Sequence, residues 1–567
     1  MEGYKSVHRG SNLFSATIII LLTASTFMSC SKEDRTDAER DTLSDFPIVE
    51  EGVYNFVDVT ASSGIDFVHN MGDEHLSNVI ESVGGGCAFL DYNQNGLMDI
   101  YIANGSFHET ISSGDHPGYL TGNVLYENMG NGRFRNRTNQ SGVGDTGYSM
   151  AVTVADFNNN GYPDIYVSNY GPNKLYRNNG DGTYTDISNS AGVAGNESSA
   201  GAVWLDFNNN GLLDLYVANY VEFNPALNLS YAPDGYPGPL NFRGQADILY
   251  RNNGDDTFTD VTMEMGIFNS DGRAMGVGAI DFDEDGYPDI YVANDAMANY
   301  FFKNDGGTGF RDVARRSGVA FNRGGEATAS MGVSFADFTG NGLIDFFVSD
   351  DSYNSLYQNQ GGGLFAEVSF PAGIAIASGQ HVGWSAAFMD YNNNMLKDIF
   401  IVNGDLKHLY GQEDQLFVNN GNGTFMDASA DQGPYFNEAM VARGACFGDF
   451  DNDGDIDVFI VNLNEPAVLL RNDIGNQNNW LLINLVGTNS NRDGVGATVR
   501  VTTGETTQVA QKTSGGPYLS QNDPRLHFGL LDHEIIDRIE VRWPSGTIQI
   551  LENVEINQIL TIQEQSE

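Results

Sequence analysis

Seven nine-residue segments of this 567-residue chain share one pattern, Asp-aromatic-polar-x-polar-Gly-x-x-Asp, with oxygen-bearing side chains at positions 1, 3, 5 and 9. The donors are Asp91, Asn93, Asn95 and Asp99 in the first copy, Asp156, Asn158, Asn160 and Asp164 in the second, and Asp206, Asn208, Asn210 and Asp214 in the third. The fourth has Asp281, Asp283, Asp285 and Asp289, the fifth Asp337, Thr339, Asn341 and Asp345, the sixth Asp390, Asn392, Asn394 and Asp398, and the seventh Asp449, Asp451, Asp453 and Asp457. A short loop of this kind suits Ca²⁺, which takes six to eight oxygens at about 2.3–2.6 Å. Gly at position 6 permits the sharp turn, and position 7 can add its carbonyl. Asp and Asn also favour turns without a metal, but seven copies with four fixed oxygen positions weigh towards the cation. Without one, two carboxylates 4 Å apart repel by about 4 kcal/mol at an effective dielectric near 20. Affinity rises with ligand charge, so the fourth and seventh loops, with four carboxylates each, are expected to fill first. Met395 replaces the Gly in the sixth, which makes that site the doubtful one of the seven.

The elements around these loops read as strands. Ala151-Val152-Thr153-Val154-Ala155 precedes the second loop and Ile165-Tyr166-Val167 follows it, so the loop joins two antiparallel strands. There is no flanking helix, which makes this a β-hairpin loop and not an EF-hand. About ten residues on comes a second hairpin signal, such as Leu175-Tyr176-Arg177-Asn178-Asn179-Gly180-Asp181-Gly182, with the Asn-Gly and Asp-Gly that tight turns demand. Two hairpins per copy make a four-stranded blade, and the spacings of the first Asp (65, 50, 75, 56, 53 and 59 residues) allow one blade per copy. The expected fold is all-β, a seven-bladed β-propeller over residues 52–475. The seventh copy lacks its final Phe-x-Asp strand, and Phe56-Val57-Asp58 supplies it from the other end, which would close the ring.

Lys plus Arg number 28 against 75 Asp plus Glu, a formal charge of −47. That excludes a surface that grips nucleic acid through displaced counterions. With 41% hydrophobic residues and many Tyr, Phe and Gly, the chain reads as folded and β-rich, not as an acidic disordered tail. Residues 1–29 read as an export signal, with Lys5, His8 and Arg9 ahead of the apolar run to Met28. Phe27-Met28-Ser29-Cys30 resembles a bacterial lipobox, which implies lipidation of Cys30, a flexible acidic tether over 30–51 and an outer-membrane lipoprotein facing the periplasm or, the favoured side, the cell surface. Cleavage would leave −48, and seven calcium ions would bring this to −34. Cys87 and Cys446 stand four and three residues ahead of their loops, on opposite strand faces, and read as buried free thiols.

Residues 476–567 form a small β-sandwich-like unit with alternating strands near 499–502, 508–511 and 539–542. Trp480 and Trp543 read as core. Asn479-Trp480-Leu481, Ser490-Asn491-Arg492-Asp493-Gly494-Val495-Gly496-Ala497, Ser514-Gly515-Gly516-Pro517-Tyr518-Leu519-Ser520-Gln521, Leu526-His527-Phe528-Gly529 and Val541-Arg542-Trp543-Pro544-Ser545-Gly546 carry a specific likeness. With the seven loops, they make the chain resemble exported FG-GAP/VCBS-repeat propellers ending in an ASPIC/UnbV domain, the cartilage acidic protein-like family, in a bacterial lipoprotein form. The resemblance implies that the loop Asp and Asn residues are calcium ligands.

No His-x-x-x-His, Gly-x-Ser-x-Gly or phosphate loop is present, so binding is expected and not catalysis. The long insertion Tyr220 to Ala246 carries Tyr220, Phe223, Tyr231, Tyr236 and Phe242, rings suited to a glycan or a protein ligand or, equally, to packing on the propeller. A weaker candidate is Phe107 to Tyr119, with His108 and His116. The expected role is a membrane-anchored adhesion or glycan-binding module. The alternative is an accessory lipoprotein of a TonB-dependent outer-membrane transporter.

Overall fold

A computed structural model describes residues 54–112, 121–229 and 235–566. Cys30, the signal and tether segments, His116 and Tyr231 lie outside the described residues. Residues Val53–Glu567 form one compact unit.

The fold is all-β, a propeller of four-stranded antiparallel sheets. Seven such sheets carry the seven loops. Their first strands are Cys87–Leu90, Tyr148–Ala155, Ser199–Leu205, Ala274–Ile280, Ser330–Ala336, Gly383–Met389 and Ala442–Gly448. Each touches the next, and the last touches the first, so the strands form a closed circuit about one axis. Neighbouring blades cover both faces of the middle strands. Asp289–Asn294 is buried at all six positions, which is why these segments read as nearly continuous apolar runs. The outer strands, such as Tyr184–Asp186, bury only their aromatic residue. One-turn helices such as Ser188–Ala191, each ended by a left-handed Gly, follow several outer strands and were not expected from the sequence.

Phe56–Asp58 pairs antiparallel with Val468–Asn472, Phe56 opposite Asn472, so the N-terminal strand completes the seventh sheet. Cys87 and Cys446 are free and buried. The expectation that they point apart needs correcting at the level of the whole fold. They belong to facing blades, so residues on opposite faces of their own strands meet in one core cluster.

The C-terminal segment forms two sheets around a core that includes Leu481, Val499, Phe528, Ile539 and the fully buried Trp543. Trp480 is half-buried and lies against the seventh loop. A Cβ on Gly454 would sit 2.0 Å from its Cε2, and Gly454 has φ +99°, so that position tolerates only glycine. The sheets of this segment are distinct from those of the propeller, but Tyr518 and Leu519 belong to the propeller's core cluster. Residues 514–521 enter the centre of the propeller, where Tyr518 meets Trp384 edge-to-face at 5.1 Å. The Leu519 carbonyl accepts the Val152 N–H at 3.0 Å. Gln521 joins the first blade through its backbone, accepts the Val154 N–H at 2.7 Å through Oε1, and donates from Nε2 to the Val154 carbonyl at 2.9 Å. The C-terminal unit is therefore a plug for the central channel.

Candidate cation loops and the two ends of the channel

The seven loops repeat one hydrogen-bond scheme. The first Asp accepts the backbone N–H groups of positions 5 and 6, as Asp156 does from Asn160 at 2.9 Å and Gly161 at 2.6 Å. The position-5 side chain accepts the N–H of position 7, as Asn210 does from Leu212 at 2.9 Å. The ninth Asp starts the second strand and accepts the N–H of an Asn that ends the third strand, as Asp99 does from Asn128 at 2.7 Å. These bonds fix the carboxylates against the loop and strand backbone. The geometry gathers the carboxyls of positions 1, 3 and 5 in the fourth and seventh loops, and the ninth Asp of each copy stands at the start of the adjoining strand. Position 4, which the sequence pattern left undefined, adopts the left-handed conformation in every copy, including Gln94, Asn159, Asn209, Glu284, Asn393 and Asn452.

Burial gives these carboxyls high proton affinities. Desolvation pushes Asp156 and Asp449 up to about 7, and Asp206, Asp281 and Asp390 up to about 6. At Asp449 the Arg525 charge opposes the rise and Asp453 adds to it. The ninth-position carboxyls Asp99, Asp164, Asp214, Asp289, Asp398 and Asp457 are held well above the ordinary value, chiefly by burial. A divalent cation among them removes that penalty.

The donor sets fit a hard cation. In the fourth loop Asp281, Asp283 and Asp285, and in the seventh Asp449, Asp451 and Asp453, offer oxygens within 4.8 Å of one another. Asp283 Oδ1, Asn392 Oδ1 and Asp451 Oδ1, all at position 3, are buried without a hydrogen-bond partner. A buried oxygen with no donor is a cost that a coordinated cation relieves. The two acidic loops are not equal. Lys303 Nζ lies against Asp283 and donates to Asp285 at 3.0 Å, so an ammonium already offsets the charge of the fourth. The seventh gains a further buried carboxyl, Asp455, whose Oδ1 also has no donor and which burial, with repulsion from Asp453, pushes up to about 10. Sequence reading missed both. The residue before the third-strand Asn also reaches the loop in the first blade, where Glu127 accepts from Asn93 Nδ2 at 3.2 Å.

A second feature missed from sequence is a ring of asparagines. The Asn ending each third strand donates through Nδ2 to the position-2 carbonyl of the preceding blade. The pairs are Asn178 to Tyr92, Asn252 to Phe157, Asn304 to Phe207, Asn359 to Phe282, Asn419 to Phe338, Asn472 to Tyr391 and, across the closure, Asn128 to Phe450. The recurring Leu-Tyr-x-Asn, read as a turn signal, is thus also the staple between blades.

The C-terminal unit covers this end of the propeller. Asn159 Oδ1 accepts the Arg492 N–H at 2.8 Å, Gln511 donates to the Asp281 carbonyl at 2.8 Å, and Arg525 donates to the Asp449 carbonyl at 2.6 Å. At the opposite end lies the insertion. Its Tyr220 and Phe242 are buried, which removes them from an exposed ring platform. Phe223 and Tyr236 are half-buried against the propeller core. Asn228 donates to Ser77 and Tyr236 to Leu406, so the insertion reaches across the mouth of the channel to the first and sixth blades. His108 meets Tyr170 edge-to-face at 5.2 Å and is held within the surface of that end.

An FG-GAP-like repeat pattern matches residues 91–167, 156–217, 240–292, 281–348, 337–401 and 390–460, and an ASPIC and UnbV pattern matches 487–567. Cartilage acidic protein 1 of Homo sapiens is 26% identical over 349 residues, covering 59% of this chain and 50% of the relative. The Mus musculus protein is 25% identical over 348 residues, covering 59% and 51%. The chain spans about half the length of the curated relatives it matches. Among solved structures, an Agrocybe aegerita lectin in the recognition of non-reducing terminal N-acetylglucosamine aligns with TM-score 0.39 and 17% identity, over 68% of this chain and 87% of the lectin. YCF48 bound to a D1 peptide aligns with TM-score 0.38 and 7% identity, over 75% and 96%.

Proposed function

Since the chain belongs to the FG-GAP-like repeat family and ends in an ASPIC and UnbV domain, we propose that it is a calcium-clamped propeller that acts by binding and not by catalysis. The observation that carries the calcium reading is the set of buried loop oxygens without donors, Asp283 Oδ1, Asn392 Oδ1, Asp451 Oδ1 and Asp455 Oδ1. Calcium would be held by positions 1, 3, 5 and 9 of each loop. The chain's own contribution is to hold those oxygens inward through the backbone bonds to the first Asp and the strand bonds to the ninth. The cation would supply charge compensation at one end of the blades and leave the other end free for a ligand.

The lipobox-like Phe27-Met28-Ser29-Cys30 supports anchoring through Cys30, with the binding end presented at the cell surface. Calorimetric titration of chelator-treated protein with CaCl₂ tests the first part. Uptake of several ions with a large rise in Tm is expected, and no uptake overturns it. Metabolic labelling with palmitate tests the anchor. Label that persists in Cys30→Ser overturns it.

A further inference from the structure

The insertion roofs a cavity of about 430 Å³ at the channel mouth remote from the C-terminal unit. Tyr220 and Tyr236 of the insertion line it, with Asp295 from the end of the fourth blade's second strand, Glu326, Asp351 and Lys407. Asp295 is only 6% exposed. Its Oδ2 accepts the Tyr220 hydroxyl at 2.5 Å, and its other carboxylate oxygen has no donor among the described residues. Burial pushes this carboxyl up to about 6. The nearest protein cation does not pair with it. Arg273 donates from Nε to the Pro239 carbonyl at 3.2 Å, from Nη2 to Phe242 at 2.9 Å and from Nη1 to Asp271 at 3.1 Å, holding the insertion in place.

Asp295 is thus a buried acceptor opening on a cavity, with no cation of its own. Its neighbour Ala296 has φ +57°, a conformation an alanine adopts only when its surroundings impose it. Glu326 and Asp351 are exposed on the rim against the single exposed Lys407, so the entrance is also net negative. The half-buried Tyr236 ring beside a buried carboxylate suits an ammonium or guanidinium head, which gains both an ion pair and contact with that ring. A neutral sugar would leave the Asp295 charge uncompensated.

We propose that this cavity binds an organic cation, its ammonium or guanidinium head seated on Asp295 beside Tyr220 and Tyr236. This deepens the binding reading above and rests on it. The head group belongs either to a free amine or to a lysine-like side chain.

Calorimetric titration of the calcium-loaded full chain with 1,5-diaminopentane, with N-acetyl-lysine amide and with glucose tests the proposal. Saturable binding of one or both amines is expected, the stronger of the two identifying the source, with no binding of glucose. Asp295→Asn should weaken amine binding at least tenfold. Gly238→Trp should do the same by filling the cavity, since a Cβ at Gly238 meets open space and this variant leaves the buried carboxyl untouched. Amine binding unchanged in both variants, or glucose bound and amines not, overturns the proposal. Should Asp295→Asn fail to fold, Gly238→Trp decides alone. A chelator melt of the same sample separates the two readings. Calcium stabilisation without amine binding defeats only the cavity assignment, and amine binding without calcium stabilisation defeats only the clamp.

Discussion

Asn128 and Phe450 stand 322 positions apart in the chain, yet Asn128 Nδ2 donates to the Phe450 carbonyl at 2.8 Å. This bond ties the first blade to the last, and the same bond recurs at every other seam. The ring is therefore closed twice, once by the N-terminal strand that completes the seventh sheet and once by a side chain placed identically in each repeat.

Replacing Asn128 by Ala removes two donors from buried carbonyls, those of Met98 and Phe450. Each orphaned group costs about 1–3 kcal/mol, so a loss of about 2–6 kcal/mol is expected. Equilibrium denaturation measures it, with exposed Asn196→Ala as the reference. Equal stability of the two variants would refute the staple.

Calcium should fill the seventh loop ahead of the fourth, because Lys303 shares the carboxylates of the fourth. Lys303→Met should then raise the affinity of one site and leave the others unchanged, as read by competition titration against a chelating dye. Asp449→Ala should lower Tm by more than Asp390→Ala. A Lys303→Met titration that overlays the wild type would contradict the inequality of the two loops.

Met395 occupies the turn position filled by Gly in the other six loops and holds φ +72°. Left-handed backbone costs a side-chain-bearing residue about 1–2 kcal/mol. The extra unfolded-state freedom of glycine offsets about 0.5–1 kcal/mol of the relief. Met395→Gly should therefore stabilise the protein by about 0.5–1 kcal/mol in urea denaturation. A destabilised variant would show that Met395 contributes more by contact than it costs in strain.

Tyr518 is fully buried in the channel against Trp384, whose ring also carries the Arg443 guanidinium 3.8 Å from its centre. Tyr518→Ala should cost about 3–5 kcal/mol, the range for a large buried aromatic. Because the residue lies between two sets of sheets, the loss should appear as one transition for propeller and C-terminal unit together. Two separated calorimetric transitions in the wild type would argue that the plug is not shared.

His69 is buried beside Arg443 with neither ring nitrogen hydrogen-bonded, and burial lowers its pKa to about 3. The folded state thus keeps the ring neutral while the unfolded chain takes up a proton near its ordinary value of about 6.5. Stability from this group is present above that value and is lost as pH falls towards 3, by about 1.4 kcal/mol per pH unit. Wild type should therefore lose ground to His69→Gln between pH 6 and 4 in paired denaturation curves. Parallel curves would mean that the ring titrates normally.

The repeat was legible because its determinants are local. The alternation on either side of Asp156–Asp164, the Gly that allows each turn and the oxygens at fixed spacing all act within a dozen residues, and the missing outer strand of the seventh copy could be matched to Phe56–Asp58 by pattern alone. What the sequence left open depended on residues that become neighbours only when the ring closes. Asn178 reads as a turn residue until Tyr92 of the preceding blade lies beside it. Lys303 reads as a surface cation until its strand places it over Asp283. Residues 514–521 read only as part of the C-terminal unit until the seven first strands create a channel for Tyr518 to fill. The insertion aromatics read equally as a platform or as packing, and burial of Tyr220 and Phe242 turned them into a roof. Side-chain chemistry and short-range periodicity determined the blades. Long-range geometry decided which of those side chains face a cation, a neighbouring blade or an open cavity, because spacing along a chain carries no information about distances across a ring.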